Sequence, residues 1–372
     1  MRVTLVELND FRCYEVARLE LPAGITVVRG DNGQGKTSLL EAVAWAAIGR
    51  SFRGVADAAL VREGRGQAIV RIEIEDSTGR ARRIEAELRE VGRNRVLLDG
   101  HPLARTRDLL GALRVTVFAP DDLELVKGGP AHRRTYLDDL LVDVAPRYAG
   151  ARADYDRVLR HRNALLKGGV RDDDARATLD VFDEQLIGAG AELVRGRLRL
   201  GSRLAPAVSA AYCDLAGSEA MITTQYLAEW ADGATPDSDA VPEALHAALL
   251  RLRRRELDRG VTLVGPHRDD WQLTVNGLNS RTHASQGEQR TLSLALRLAG
   301  HRVVTEVTGE DPVLLLDDVF SELDDRRANA LVERLPATQT LLTTAGSLPP
   351  GVTPASQIRV VAGVVAGVEV LG

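Results

Sequence analysis

Lysine is almost absent from this 372-residue chain: among 48 basic residues only Lys36, Lys127 and Lys167 are lysines. Arginine suits forked contacts to phosphate and carboxylate, although such a bias equally reflects genome composition. Aromatic residues reach only 4%, so the ample core that this length permits must be aliphatic. The two cysteines, Cys13 and Cys213, lie far apart, which excludes a disulfide framework or a Cys-x-x-Cys metal site and points to a reducing compartment. No apolar run nears the roughly 18 residues of a membrane span; Val360 to Val368 comes closest. The first residues, MRVTLVELNDF, alternate like a strand and lack the basic-then-apolar order of a signal peptide. A soluble, cytoplasmic protein without a membrane partner is expected. Because the net charge is -5, no global basic field exists, and any nucleic-acid contact must come from local patches.

Against these absences stands one dense stretch, Gly30 to Ser38, reading GDNGQGKTS. It has P-loop spacing: Gly30, four residues, then Gly35, Lys36 and Thr37. Glycine backbone can close around a phosphate chain, Lys36 adds a point charge and Thr37 offers a hydroxyl to Mg²⁺. Asn32, Gly33 and Ser38 complete the loop. The β-branched run Ile25, Val27, Val28 precedes it and the Ala-rich SLLEAVAWAAI follows, so strand, loop and helix occur in the required order. The helix N-terminus then points unpaired N–H groups at the phosphates. ATP with Mg²⁺ is the expected ligand.

The surrounding chain is α/β. Met1 to Glu20 and Gly24 to Arg29 read as two strands. Ile69 to Glu75 and Ala81 to Leu88 read as a hairpin around Ser77-Thr78-Gly79, and Arg95 to Leu98 leads into Asp99-Gly100. After Pro120 the periodicity turns helical, over Leu123 to Leu141, Tyr148 to Leu166, Ala175 to Val208 and Pro242 to Arg259, with an extended piece at 219–230 and a polar loop over Ala231 to Ala240. No sustained heptads occur, so a long coiled coil is not expected. Val261 to Val264 reads as a short strand before GPHRDD, and Trp271 to Val275 with Ser280 to His283 as a hairpin around Asn276-Gly277. The resulting division is a discontinuous head, 1–122 and 259–372, around a helical arm, 123–258.

Val313 to Leu316 is an apolar strand ending in Asp317-Asp318, the Walker B arrangement. Such a buried strand places Asp317 on the metal side and Asp318 toward an attacking water as general base. Many strands end in Asp; the P-loop supplies the partner that makes this one informative. Ser285-Gln286-Gly287-Glu288 has the form of a capping box, and its helix N-terminus is also an anion site. Because the P-loop already provides one helix N-terminus, a second would face the same phosphate from another protomer, as an ATP-sandwiched homodimer.

These motifs resemble those of ABC-type ATPase heads, and among SMC-like DNA-repair ATPases they are most similar to the RecF family of bacterial recombination mediators. The resemblance rests on GDNGQGKTSLLEA, FAPDDLELVKGGPAHRRTYLD, GPHRDD and LLLDDVFSELD. It implies a mixed β-sheet around the P-loop helix, with Ser285, Gly287 and Gln289 in the signature motif and Asp324 on a D-loop at the dimer interface. Arg12, in NDFRCY, would approach the nucleotide. Thr343 and Thr344 stand where ABC proteins often carry a switch histidine, which fits a slow ATPase. Lys36, Asp317 and Asp318 would be catalytic. The implied activity is weak DNA-dependent ATP hydrolysis: an ATP-induced dimer clamps duplex DNA near single-strand gaps, promotes RecA loading with RecO and RecR, and is released by hydrolysis. Candidate DNA contacts are Arg62, Arg65, Arg133, Arg134 and Arg254; each also reads as an ordinary solvated surface residue. His267 and Arg268 in GPHRDD read as functional loop residues. Two alternatives belong to other classes. A structural chromosome ATPase of SMC type is opposed by the short insertion, and a transporter subunit by the signature wording and missing histidine.

Overall fold

Two β-sheets grip one helix, and that helix begins at the P-loop. The structure, a computed structural model, describes all residues except 77, 229, 231–238, 336, 337 and 372, and the side chain of 322. Strands β1 (Arg2–Phe11), β2 (Tyr14–Glu20) and β3 (Ile25–Arg29) lead to α1 (Lys36–Ile48). Then follow β4 (Gln67–Glu75), β5 (Ala81–Arg89), β6 (Arg95–Leu98), β7 (His101–Pro102) and β8 (Val115–Phe118). The helical region holds α2 (Glu124–Lys127), α3 (Pro130–Val144), α4 (Arg147–Gly168) and α5 (Asp173–Ala216), then β9 (Ile222–Leu227) and α6 (Ala240–Arg259). Next come β10 (Asp270–Val275), β11 (Leu278–Asn279), α7 (Ser280–His283), α8 (Gln286–Thr308) and β12 (Val313–Asp317). The chain closes with α9 (Asp325–Arg334), β13 (Thr340–Thr344), β14 (Ser356–Val361) and β15 (Val364–Val370).

Residue contacts divide the chain into two units, Met1–Asp122 with Ala211–Glu219 and Leu294–Gly372, and Leu123–Ala210 with Ala220–Ser293. In the first unit an antiparallel sheet has the order β2-β1-β4-β5-β6-β7, and a second, mixed sheet the order β15-β14-β3-β13-β12-β8. The alternation of β4, with every second residue buried, is that of a sheet with one wet face. By contrast β12 and β13 are buried at every position, as parallel strands covered on both faces are. Helix α1 shares one apolar cluster with both sheets. An all-round apolar helix must be enclosed, which accounts for the alanines: they let two sheets approach a single helix.

The second unit is organised around polar groups as well as apolar ones. The three-stranded sheet β11-β10-β9 packs on α3, with Tyr136 stacked on Trp271 at 5.9 Å between ring centroids. Arg162 and Glu256 are completely buried and paired.

Several expectations change. The first strand is broken at residues 12–13 into the β1–β2 hairpin. No strand forms over 261–264, where Thr262 bonds Asn163 instead, and Ser280–His283 is a helical turn, the return strand being Leu278–Asn279. Helix α5 has 44 residues, about 66 Å at 1.5 Å per residue, longer than expected. Residues 259–293, read as head, cluster with the second unit because β10 pairs with β9. The turn residue Ser77 and the loop positions 231–238 lie outside the described residues.

Candidate nucleotide site

Strand β3 ends at Arg29, and the chain then turns through Gly30–Gly35 into α1. Gly35 has φ +113°, and a Cβ there would lie 2.6 Å from Cys13 Sγ, so only glycine fits. Tyr14 Oη donates to the Gly35 carbonyl at 3.0 Å. On its other flank the loop is held by the β14–β15 turn: Gly363 N–H donates to the Gln34 carbonyl at 2.9 Å, and Ala362 N–H to Gln34 Oε1 at 2.5 Å. Gly363 is itself confined, with φ +73° and a notional Cβ 2.2 Å from Cys13 O. Lys36 folds back over the loop, its Nζ donating to Gly30 O at 2.7 Å and Asp31 O at 3.0 Å. Asn32 and Gly33 are exposed, and the Ser38 hydroxyl meets the Cys13 thiol.

Strand β12 brings Asp317 to this loop. Thr37 Oγ1 donates to Asp317 Oδ1 at 2.8 Å, and Thr343 Oγ1 donates to the same atom at 2.8 Å. Burial pushes the Asp317 carboxyl above its ordinary range, while the bonds from Thr37 and Thr343 oppose that shift. A buried carboxylate beside a hydroxyl oxygen is the hard, all-oxygen donor set that Mg²⁺ takes, so the residues fit that ion. Asp318 follows with φ +50°, a region L residues rarely adopt.

Arg12 lies in the β1–β2 turn with its guanidinium spent on protein. Nε and Nη2 fork onto Glu41 at 2.9 and 2.8 Å, and Nη1 donates to Ala59 O at 2.9 Å. Glu41 is fully buried on α1 and also receives the Ser51 hydroxyl. In this structure, therefore, Arg12 anchors the hairpin to the P-loop helix.

The signature stretch lies in the second unit up to Ser293. Ser285 is the reciprocal cap its sequence implied: Ser285 N–H donates to Glu288 Oε2 at 2.7 Å and Glu288 N–H to Ser285 Oγ at 3.3 Å. Ser285 is exposed, whereas Gln289 is buried and donates to the Ser280 and Arg281 carbonyls at 3.1 and 3.3 Å. Gln289 thus holds the turn before α8 and does not face outward as a ligand contact. Asp324 is exposed and caps α9 by accepting the Arg327 N–H at 2.9 Å; that bond first of all lowers its pKa.

Two expectations are overturned in the second unit. Arg133 is buried and forks onto Asp270 at 2.9 and 3.0 Å while donating to Gly128 O; a side chain so enclosed offers nothing to DNA. His267 is half-buried beside Tyr155 Oη at 2.6 Å, the buried Asp269 accepts from Tyr226 Oη and Trp230 Nε1 at 2.7 and 2.8 Å, and Arg268, though exposed, reaches Thr262 O. GPHRDD is thus a packing hub. Desolvation drives the His267 pKa down to about 4 and, despite the bonds from Tyr226 and Trp230, that of Asp269 up to about 6. Arg134 is half-buried and donates to Asp269 O. Arg62 pairs with Asp10 and Glu15, Arg65 with Asp10, and Arg254 is exposed. Sequence reasoning missed Tyr14, Glu41, and Thr343 as the partner of Asp317. A hydroxyl ending the apolar strand TLLTT was the available signal for the last.

The RecF/RecN/SMC N-terminal domain family matches residues 2–345. A DNA replication and repair protein RecF from Kineococcus radiotolerans is 45% identical over 363 residues, 93% of each chain. Its counterpart from Frankia alni is 46% identical over 355 residues, again 93% of each chain. The solved structure of the recombination mediator protein RecF with ATP in the RecFOR pathway superposes with a TM-score of 0.91 at 30% identity, covering 100% of this chain and 97% of that one. An Smc head from Pyrococcus furiosus, with an extended coiled coil, shares the fold at TM-score 0.58 and 16% identity, covering 100% of this chain and 96% of that one.

Proposed function

The chain belongs to the RecF family of DNA replication and repair proteins, and we propose that it works as an ATP-gated homodimer that holds duplex DNA near single-strand gaps. The observation that carries this reading is the meeting of Thr37 and Asp317 at 2.8 Å across 280 positions of sequence. In it, Lys36 and the loop N–H groups bind the phosphates of ATP. Thr37 and Asp317 hold Mg²⁺, which when bound neutralises charge developing on the phosphoryl oxygens. Asp318 takes the proton of the attacking water. Ser285 and Gly287 of a second copy present the N-terminus of α8 to the γ-phosphate, with Asp324 at the same interface. Exposed Arg65 and Arg254, and the more engaged Arg62 and Arg134, are the DNA contacts proposed. Hydrolysis is slow, DNA-dependent and releases the clamp. RecO and RecR are the proposed partners and RecA loading the outcome, a reading supported by the RecFOR pathway of the solved relative.

Sedimentation with and without ATP, paired with binding to duplex, single-stranded and gapped DNA, tests this. The parent protein is expected to dimerise and bind duplex or gapped DNA only with ATP, and Lys36→Met to do neither. Ser285→Arg should bind ATP and stay monomeric. An ATP-dependent dimer of that variant would remove the in-trans role of Ser285, and DNA binding indifferent to ATP would remove the gating.

A further inference from the structure

One hydroxyl bonds the carboxylate of one acidic residue of the site and the peptide N–H of the next. Thr343 is 1% exposed at the end of β13, in register with Asp317 on the neighbouring strand. Its Oγ1 donates to Asp317 Oδ1 at 2.8 Å and accepts the Asp318 N–H at 2.9 Å. A hydroxyl has one proton; here it goes to the carboxylate, which leaves the lone pairs for the peptide N–H. We propose that Thr343 is a positioning residue for ATP hydrolysis, a donor–acceptor link that holds the metal-side carboxylate and the general base in one fixed geometry. This rests on the roles given above to Asp317 and Asp318.

Two features make the link more than a satisfied strand end. Thr37 and Thr343 both bond Oδ1 of Asp317, and among the described residues no hydrogen bond reaches Oδ2. The carboxylate is therefore oriented with one oxygen committed to protein and the other left for a metal-bound water. The second feature is the left-handed backbone of Asp318, φ +50°, which an L residue keeps only when its surroundings over-determine it. Two hydroxyls do so. Thr343 takes the Asp318 N–H, and Ser321 Oγ donates to the Asp318 carbonyl at 2.8 Å. The branched Thr343 side chain has restricted χ1 freedom, so the relay is stiff.

The test compares Thr343→Ser, Thr343→Ala and Thr343→Val in the full chain. Valine keeps the shape, alanine removes it, and serine keeps only the hydroxyl. Three quantities are measured: affinity for a fluorescent ATP analogue without Mg²⁺, single-turnover hydrolysis at saturating ATP and Mg²⁺, and the Mg²⁺ concentration giving half-maximal rate. All three variants are expected to bind the Mg²⁺-free nucleotide within about threefold of the parent, while Ala and Val lose about tenfold or more in rate and Ser stays within about threefold. Ala and Val should also need more Mg²⁺. A Ser-to-Ala rate ratio near one overturns the proposal, as does a loss of nucleotide affinity in proportion to the loss of rate. If the parent itself hydrolyses ATP no faster than Lys36→Met, it is the underlying ATPase reading that fails, and that result is distinct from a flat Ser-to-Ala ratio.

Discussion

Replacing Arg162 with methionine is expected to destabilise the second unit far more than its size change suggests. All three kinds of guanidinium nitrogen are engaged: Nε donates to Asp183 at 2.6 Å, Nη1 to Thr262 at 2.8 Å and Nη2 to Glu256 at 2.7 Å. Arg162 and Glu256 are 0% exposed and Asp183 is 6% exposed. Methionine fills much of the same space, so the penalty comes from charge left behind. Removing one member of a buried pair costs about 3–5 kcal/mol. Here each carboxylate keeps a remnant, since Asp183 retains Arg253 at 3.4 Å and Glu256 retains the Leu263 N–H at 2.7 Å, so a total of about 4 kcal/mol is expected. That is a large part of the roughly 5–15 kcal/mol by which domains are stable, and corresponds to a fall of about 10 °C in the unfolding midpoint. The assay is built into the chain: Trp230 and Trp271 lie in the second unit and Trp45 in the first, so emission in a Trp45→Phe background follows the second unit alone. Adding Glu256→Gln and Asp183→Asn to Arg162→Met should recover part of the loss. A shift below about 2 °C for the single variant, or no recovery in the triple one, would refute the argument from uncompensated charge.

Asp318→Asn is expected to slow single-turnover ATP hydrolysis by about tenfold or more and to trap the ATP-bound form; an unchanged rate removes Asp318 as base. Gly363→Val forces the β14–β15 turn off Cys13 O and so frees Gln34; ATP affinity should fall about tenfold with the fold retained, and an unaltered affinity in titration would show that the hairpin does not brace the loop. The second unit should also respond to acid in two opposed ways. His267 is held near 4, below its usual 6.5, so its contribution to stability is lost as pH falls through that window. Asp269 is held near 6, above its usual 3.8, so acidification through its window adds stability. The two offset each other in the parent. Asp269→Asn should therefore unfold more readily at pH 5 than at pH 7 relative to the parent, about two units apart across both windows, and His267→Gln less readily; tryptophan melts at the two pH values decide, and identical pH responses in both variants would contradict the assignment.

The nucleotide loop and the paired acids were readable from sequence because their chemistry is local. GDNGQGKTS needs glycine at Gly35 for a backbone reason, and VLLLD is a strand covered on both faces whatever lies beyond it. The same holds for the Ser285–Glu288 cap, closed within four residues. The arginines were not readable in this way. Arg133 and Arg254 look alike in sequence, yet only tertiary packing sets Asp270 against one and leaves the other exposed. GPHRDD read as a functional loop because its residue types serve catalysis and burial equally well; its partners Tyr155, Tyr226 and Trp230 lie between 39 and 112 positions away. Sequence alone therefore determined the form of the Gly30–Ser38 loop and the apolar strand that ends in two acids. Which charges stay free to act, and that Thr343 joins Asp317 to Asp318, was decided by strand register and packing, since hydrogen bonds and desolvation act over a few ångströms of space irrespective of distance along the chain.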